Sequence, residues 1–276
     1  MSEKETLQYK PLNYNSYLKI PELLSLQQEI SDPKHHDEMF FIIIHQAMEL
    51  WFKQILHETK QFRKSLEDGS VSRALKALKR STAIMDLLQR QINLLSTLTP
   101  VEFAGFRDKL RPASGFQSIQ YRVLEFTFGV KDDFFLTFFP QESEMYKELE
   151  KIRSEPTVYD TFLHALDRAG YKLPRAVLER DFKENYVPSE KVVAVLKQIY
   201  EKPDDNYHWV VLFEAMLDFD EKFTLWRNTH ILMVARTIGA KPGTGGSAGY
   251  KFLEGRLHYR FFPDLWNVRT QIGADY

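Results

Sequence analysis

After Pro33 the chain runs HHDEMFFIIIHQAMELWFKQILHETKQFRKSLEDG, and neither proline nor glycine interrupts it before Gly69. With no breaker and with apolar positions recurring at three- and four-residue spacing, such a run buries its apolar side as one long α-helix. That helix is predicted to begin near Asp37 and to stop at the Asp68-Gly69 pair. Gly and Pro number only 12 each in 276 residues, and they cluster. A second helix is predicted through SRALKALKRSTAIMDLLQRQINLLSTL, with Pro100 after its end, and a third through QSIQYRVLEFTFG after the loop RPASG. A fourth is predicted from about Trp209 to Ile238, with Gly239 as its C-terminal cap. Strand-like alternation is nearly missing, and no Asn-Gly or Asp-Gly hairpin joins alternating runs. The expected fold is all-α. Length alone permits two domains, but no stretch reads as a boundary linker, so one large helical domain is expected.

Composition narrows the function. The chain is 43% hydrophobic and 14% aromatic, which excludes a disordered chain and supplies a large core. Lys+Arg 37 against Asp+Glu 38 leaves a formal charge of -1, without the basic excess of a nucleic-acid binder. A small, uncharged or zwitterionic partner is the better match. The longest strictly apolar run, Met39 to Ile44, is far short of the roughly 20 residues that span a bilayer, and MSEKETLQYK has no apolar leader, so a cytoplasmic protein without a membrane partner is expected. Cysteine is absent, which removes disulfides, Cys-ligated zinc, iron–sulfur clusters and thiolate-ligated haem together.

Of the eight histidines, His45 and His230 alone sit inside strongly apolar helical segments. His45 shares a helical face with Phe41, Met48 and Phe52, and His230 shares one with Phe223, Trp226, Met233, Val234 and Thr237. Each, taken singly, reads first as a core histidine bonded to a carbonyl. As a pair they suit haem, with one axial imidazole and a second polar group on the opposite face. Zinc needs more ligands, and no helical HExxH is present; no Glu precedes a His by three, as a ferritin-like di-iron site requires. KPGTGGSAG, residues 241–249, lacks the GK[ST] ending of a phosphate loop and follows a helix instead of a strand. It reads as a glycine-rich connector whose backbone N–H groups, with Thr244 and Ser247, can approach a ligand. Arg107 stands among Phe103, Phe106 and Leu110, where a guanidinium needs an anion: either Asp108 next door or a ligand carboxylate.

Five strings in order, HHDEMFFIIIHQAMELW at 35–51, GFRDKLRPASGFQSIQYR at 105–122, LWRNTH at 225–230, GTGGSAG at 243–249 and FFPDLWNVR at 261–269, resemble the tryptophan 2,3-dioxygenases. The resemblance spans Tyr14 to Arg269. It implies a haem b in each subunit, ferrous in the active state, with His230 as the axial ligand of the iron. It implies His45 as the distal, catalytic histidine meeting the indole N–H, and Phe41, Ile42, Ile43 and Ile44 as the wall of the indole pocket. It further implies Arg107 as the carboxylate clamp and Thr244 as the residue meeting the ammonium and carboxylate ends. Phe103 stands where some bacterial relatives have Tyr, although Phe also occurs in the family; it offers no phenolic contact and leaves more of the clamp to Arg107.

The resemblance implies a homotetramer in which residues 1–20 contact a neighbouring subunit, with Tyr14, Tyr17 and Leu18 covering the neighbour's pocket and residues 21–276 forming the helical haem-binding catalytic domain. The implied reaction joins L-tryptophan and O2 to N-formyl-L-kynurenine across the indole C2–C3 bond, the first step of the kynurenine pathway. Two rivals make other demands on the residues. A haem gas sensor or carrier needs His230 but has no use for Arg107 or the Thr244 hydroxyl, and a cofactor-free helical scaffold needs neither histidine as a ligand.

Overall fold

A computed structural model describes residues 12–243 and 249–273, and among them there are helices and no strand. In chain order the α-helices are α1 Tyr14–Leu18, α2 Ile20–Leu24, α3 His36–Glu67, α4 Val71–Leu95, α5 Pro100–Arg107, α6 Ile119–Thr127, α7 Glu144–Ser154, α8 Val158–Arg168, α9 Arg175–Leu178, α10 Glu190–Tyr200, α11 Pro203–Ile238, α12 Tyr250–Glu254 and α13 Pro263–Asn267.

The three long helices α3, α4 and α11 form the frame, with α4 packed along both of the others. α3 begins where expected: His35 caps it by accepting from the Asp37 N–H at 3.3 Å, and Asp37 and Glu38 meet the positive end of the helix dipole. It ends at Asp68, where Gly69 takes φ +72°, a left-handed conformation that costs a residue without Cβ little. Its buried stripe is Ile44, Met48, Phe52, Ile55, Phe62 and Leu66. α4 answers with Ala74, Ala77, Leu78, Met85, Leu88, Ile92 and Leu95, and α11 with Leu212, Phe213, Met216, Phe219, Phe223 and Trp226. Each large side chain so buried contributes about 1.5–3 kcal/mol, so this one continuous cluster is the main source of stability.

α11 starts at Pro203 instead of Trp209, because Pro203 at the first turn and Asp204 and Asp205 after it make a strong helix start, with a local break at Asn206. At the other end Gly239, φ +58°, closes the helix through its N–H to the Ala235 carbonyl at 3.0 Å. α5 opens on a capping box between Thr99 and Glu102 and lies against α3 and α11. This places Phe103 and Arg107 of α5 beside the two long helices that carry His45 and His230. No described helix is long and apolar enough to cross a membrane.

Candidate active site

α3, α4, α5, α6 and the C-terminal half of α11 enclose a cavity of about 310 Å³ with a mainly apolar wall. His45 projects into it from α3 and His230 from α11. The Nδ1–H of His45 donates to the Phe41 carbonyl at 2.7 Å, one turn back on the same helix. This fixes the tautomer and leaves Nε2 as a bare acceptor turned towards the cavity. His45 is open to the cavity by surface area, yet the chain packed around it desolvates the imidazole and pushes it below its ordinary value, against the Phe41 carbonyl and the Glu49 charge that pull the other way. Burial also lowers His230, to about 4, with further help from His45 and Arg122. Both rings are therefore neutral near pH 7. The His230 ring lies flat against Trp226, with an interplanar angle of 4° and centroids 5.7 Å apart.

α4 holds the two histidine-bearing helices through side-chain amides. Gln91 Nε2 donates to the carbonyl of Ile44, the residue before His45, at 3.2 Å, and Gln89 Nε2 donates to Oγ1 of Thr229, the residue before His230, also at 3.2 Å.

Phe41 forms an aromatic wall with Phe103, stacked at 5.5 Å, and with Phe106, edge-on at 5.6 Å. Arg107, at the end of α5, lines the cavity beyond them. The expected local partner is not taken, since Asp108 pairs with Arg111 at 3.5 Å. Arg107 instead donates through Nη2 to the Pro242 carbonyl, while its Nε–H is buried without an acceptor.

Four residues of the pocket wall proposed from sequence do not behave alike. Phe41 lines the cavity, but Ile42, Ile43 and Ile44 do not. A helix turns 100° per residue, so the face that carries Phe41 and His45 turns the three isoleucines away. Ile44 is in the main core and Ile43 is 48% exposed. Thr244 lies outside the described residues; its neighbours Gly243 and Gly249 both reach the cavity. Tyr14, Tyr17 and Leu18 do not meet the cavity of their own chain and are 73%, 70% and 41% exposed on α1.

The cavity also collects charges that sequence reading passes over. Arg107, Arg122, Arg227 and Arg256 line it against Glu49 and Glu125. Arg122 Nη1 donates to Glu125 Oε2 at 2.6 Å and Arg227 Nη2 approaches Glu125 Oε1 at 3.4 Å, with all three residues buried. The Arg122 guanidinium is sandwiched between the Tyr121 and Phe135 rings, at 4.4 and 3.8 Å. The available signal was Arg122 and Glu125 at i and i+3 inside the apolar string YRVLEF. Nε of Arg107, Arg122 and Arg227 and Nη2 of Arg256 are buried with no acceptor among the described residues. Leaving so many cationic N–H groups unmet is costly unless an anion satisfies them.

Comparison with known proteins agrees with this geometry. The family model described as tryptophan 2,3-dioxygenase matches residues 3–154 and 193–272. The chain belongs to the tryptophan 2,3-dioxygenase family. Among curated tryptophan 2,3-dioxygenases, that of Arthrobacter sp. (strain FB24) is 44% identical over 262 residues, 95% of this chain and 92% of the relative. Those of Rhodococcus jostii (strain RHA1) and Caulobacter vibrioides are 44% and 41% identical, each over 95% of this chain and over 92% and 98% of their own lengths. As a tryptophan 2,3-dioxygenase family member, the chain keeps Phe41, His45, Phe103, Arg107 and His230 together around one cavity. The residues present fit the haem that the family implies: a neutral imidazole at His230, aromatic rings along the cavity wall, and guanidinium N–H groups that the carboxylates of such a group can meet.

Proposed function

We propose that this chain catalyses the haem-dependent insertion of both atoms of O2 across the indole C2–C3 bond of L-tryptophan, giving N-formyl-L-kynurenine, the first step of the kynurenine pathway. The observation that carries this reading is the opposition of two neutral imidazoles across one cavity, with an Arg107 guanidinium on its wall that has no acidic partner among the described residues. An oxygen carrier has no use for that guanidinium.

His230 would hold the haem iron through its neutral ring. When bound, haem supplies the metal at which dioxygen is activated. The protein's own residues then position the other reactant. Arg107 grips the tryptophan carboxylate through parallel N–H···O contacts, exchanging its Pro242 carbonyl for a charged acceptor. Thr244 is proposed to meet the ammonium and carboxylate ends. His45 accepts the indole N–H on Nε2, the nitrogen that its bond to Phe41 leaves unprotonated. Through that nitrogen it orients and polarises the indole, and the reading gives it no obligatory role as a base. Phe41 and Phe103 supply the apolar wall that aligns the ring and excludes water, turning a bimolecular encounter into a near-attack geometry.

The same reading makes the protein a cytoplasmic homotetramer. Apolar residues exposed at seven-residue spacing, Ile43 and Leu50 on α3 and Leu87 and Leu94 on α4, support assembly, as do Tyr14, Tyr17 and Leu18 on α1. Removing residues 1–20 is expected to weaken tryptophan binding and disturb the tetramer while haem uptake persists. Gel filtration and ligand titration of the truncated protein check this, and an unchanged oligomer with unchanged affinity would refute it.

The activity itself is tested with haem-loaded protein, L-tryptophan and isotopically labelled dioxygen. The expected result is a tryptophan-dependent change in the haem absorption spectrum and product carrying both labelled atoms. Oxygen binding without product would assign the chain to the carriers.

A further inference from the structure

The buried trio Arg122, Glu125 and Arg227 has no part in holding tryptophan, yet it lines the same cavity as His230. Arg227 stands one turn before His230 on α11 and shares its helical side. Trp226 stacks on His230, Tyr121 lies 5.3 Å from Trp226, and Arg122 covers Tyr121 at 4.4 Å. The trio is thus joined to the ligand histidine through two aromatic rings and one helical turn. Among the described residues no carboxylate accepts a hydrogen bond from the His230 ring, and the trio supplies fixed charge close to it, which can set the electron balance there.

We propose that Arg122, Glu125 and Arg227 set the reduction potential of the iron held by His230, the two guanidiniums favouring the ferrous state and Glu125 restraining them. The inference rests on the haem reading above. The couple is a one-electron gain by the iron, with the electron drawn from the chemical reductant that poises the titration and no bond broken. A positive charge in a weakly screened interior lowers the energy of the added electron, and a negative charge raises it. Opposite signs follow for opposite substitutions, which general loosening of the pocket does not produce. These are positioning residues, since they act through the His230 surroundings.

The experiment is a spectroelectrochemical titration of haem-loaded proteins whose absorption spectra show histidine ligation. Glu125→Gln should raise the midpoint, and Arg122→Gln or Arg227→Gln should lower it. Each shift should be at least tenfold in the ferric–ferrous equilibrium constant, or 59 mV for one electron. Arg122→Lys, which keeps the charge, should leave it within that range of the unmodified protein. Breaking a buried pair destabilises strongly, so a single variant can fail to fold. The double variant Arg122→Gln with Glu125→Gln removes one charge of each sign and should return the midpoint close to its starting value. Shifts of one sign in all variants, or none, would overturn the proposal while leaving the haem reading intact. Failure of the unmodified protein to take up haem would overturn both.

Discussion

Asp264 and Arg122 are both charged and both buried, yet their surroundings differ in whether the protein completes them. Asp264 accepts from the Tyr159 hydroxyl at 2.9 Å, the Tyr186 hydroxyl at 2.6 Å and the Ser189 N–H at 2.7 Å. Nearby members of the same closed style are Lys131, whose ammonium donates to the Arg153, Glu155 and Phe182 carbonyls, and Asp160, bridged by Arg180 at 2.8 and 2.7 Å. The cavity arginines are left with N–H groups that no atom of the described residues accepts. Closed networks tie α8, α10 and α13 into place and specify the fold; the open arginines line the cavity.

Substitutions on either side of this contrast should have effects of different kinds. The largest is expected for His230→Ala, which should abolish turnover and most haem uptake, read from the haem absorbance during titration; normal turnover by a fully loaded variant would remove His230 from the ligand role. Next comes Arg107→Leu. Breaking a buried charge pair costs about 2–5 kcal/mol, roughly 30- to several-thousand-fold in tryptophan affinity. Tryptamine, without the carboxylate, should bind the unmodified enzyme about as poorly, and combining the two changes should cost far less than their sum. Simple additivity would return Arg107 to its Pro242 contact as a structural residue. His45→Ser should stay folded and haem-loaded with activity lowered roughly two- to twelvefold, the worth of about 0.5–1.5 kcal/mol; complete loss with intact binding would make His45 an essential base. Tyr159→Phe, on the closed side, should lower stability by about 1–3 kcal/mol in a denaturant titration and leave tryptophan affinity unchanged. A matching loss of affinity would break the distinction between the two networks.

Long-period patterns were legible in the sequence, and contacts between distant segments were not. α3 could be placed nearly to the residue because Asp37 and Glu38 mark its start and Gly69 its end. The Gly239 cap of α11 was equally plain, whereas its start was read at Trp209 because the amphipathic signal sets in only there, one turn and more after Pro203. Between residues 140 and 200 the helices α7, α8 and α10 have 11 residues each; they are strongly amphipathic, but their runs are short beside the long unbroken ones that the sequence reading followed. At the site, the string matches pointed to Phe41, His45, Arg107 and His230. The run Ile42–Ile44 was assigned to the pocket as a block, and helical geometry separates it from Phe41. The Glu125–Arg227 contact joins α6 to α11 across 102 positions, and no local pattern announces such a pair.

Gln89 and Gln91 give α4 a role that its own residues would not suggest. By gripping the backbone just before His45 and a side chain just before His230, α4 works as a gauge block: its thickness, set by Leu88, Ile92 and Leu95, fixes the width of the cavity between the two histidines. Packing density along that helix is therefore a tolerance on the active site, and trimming Leu88, which touches no ligand, would alter the fit of one.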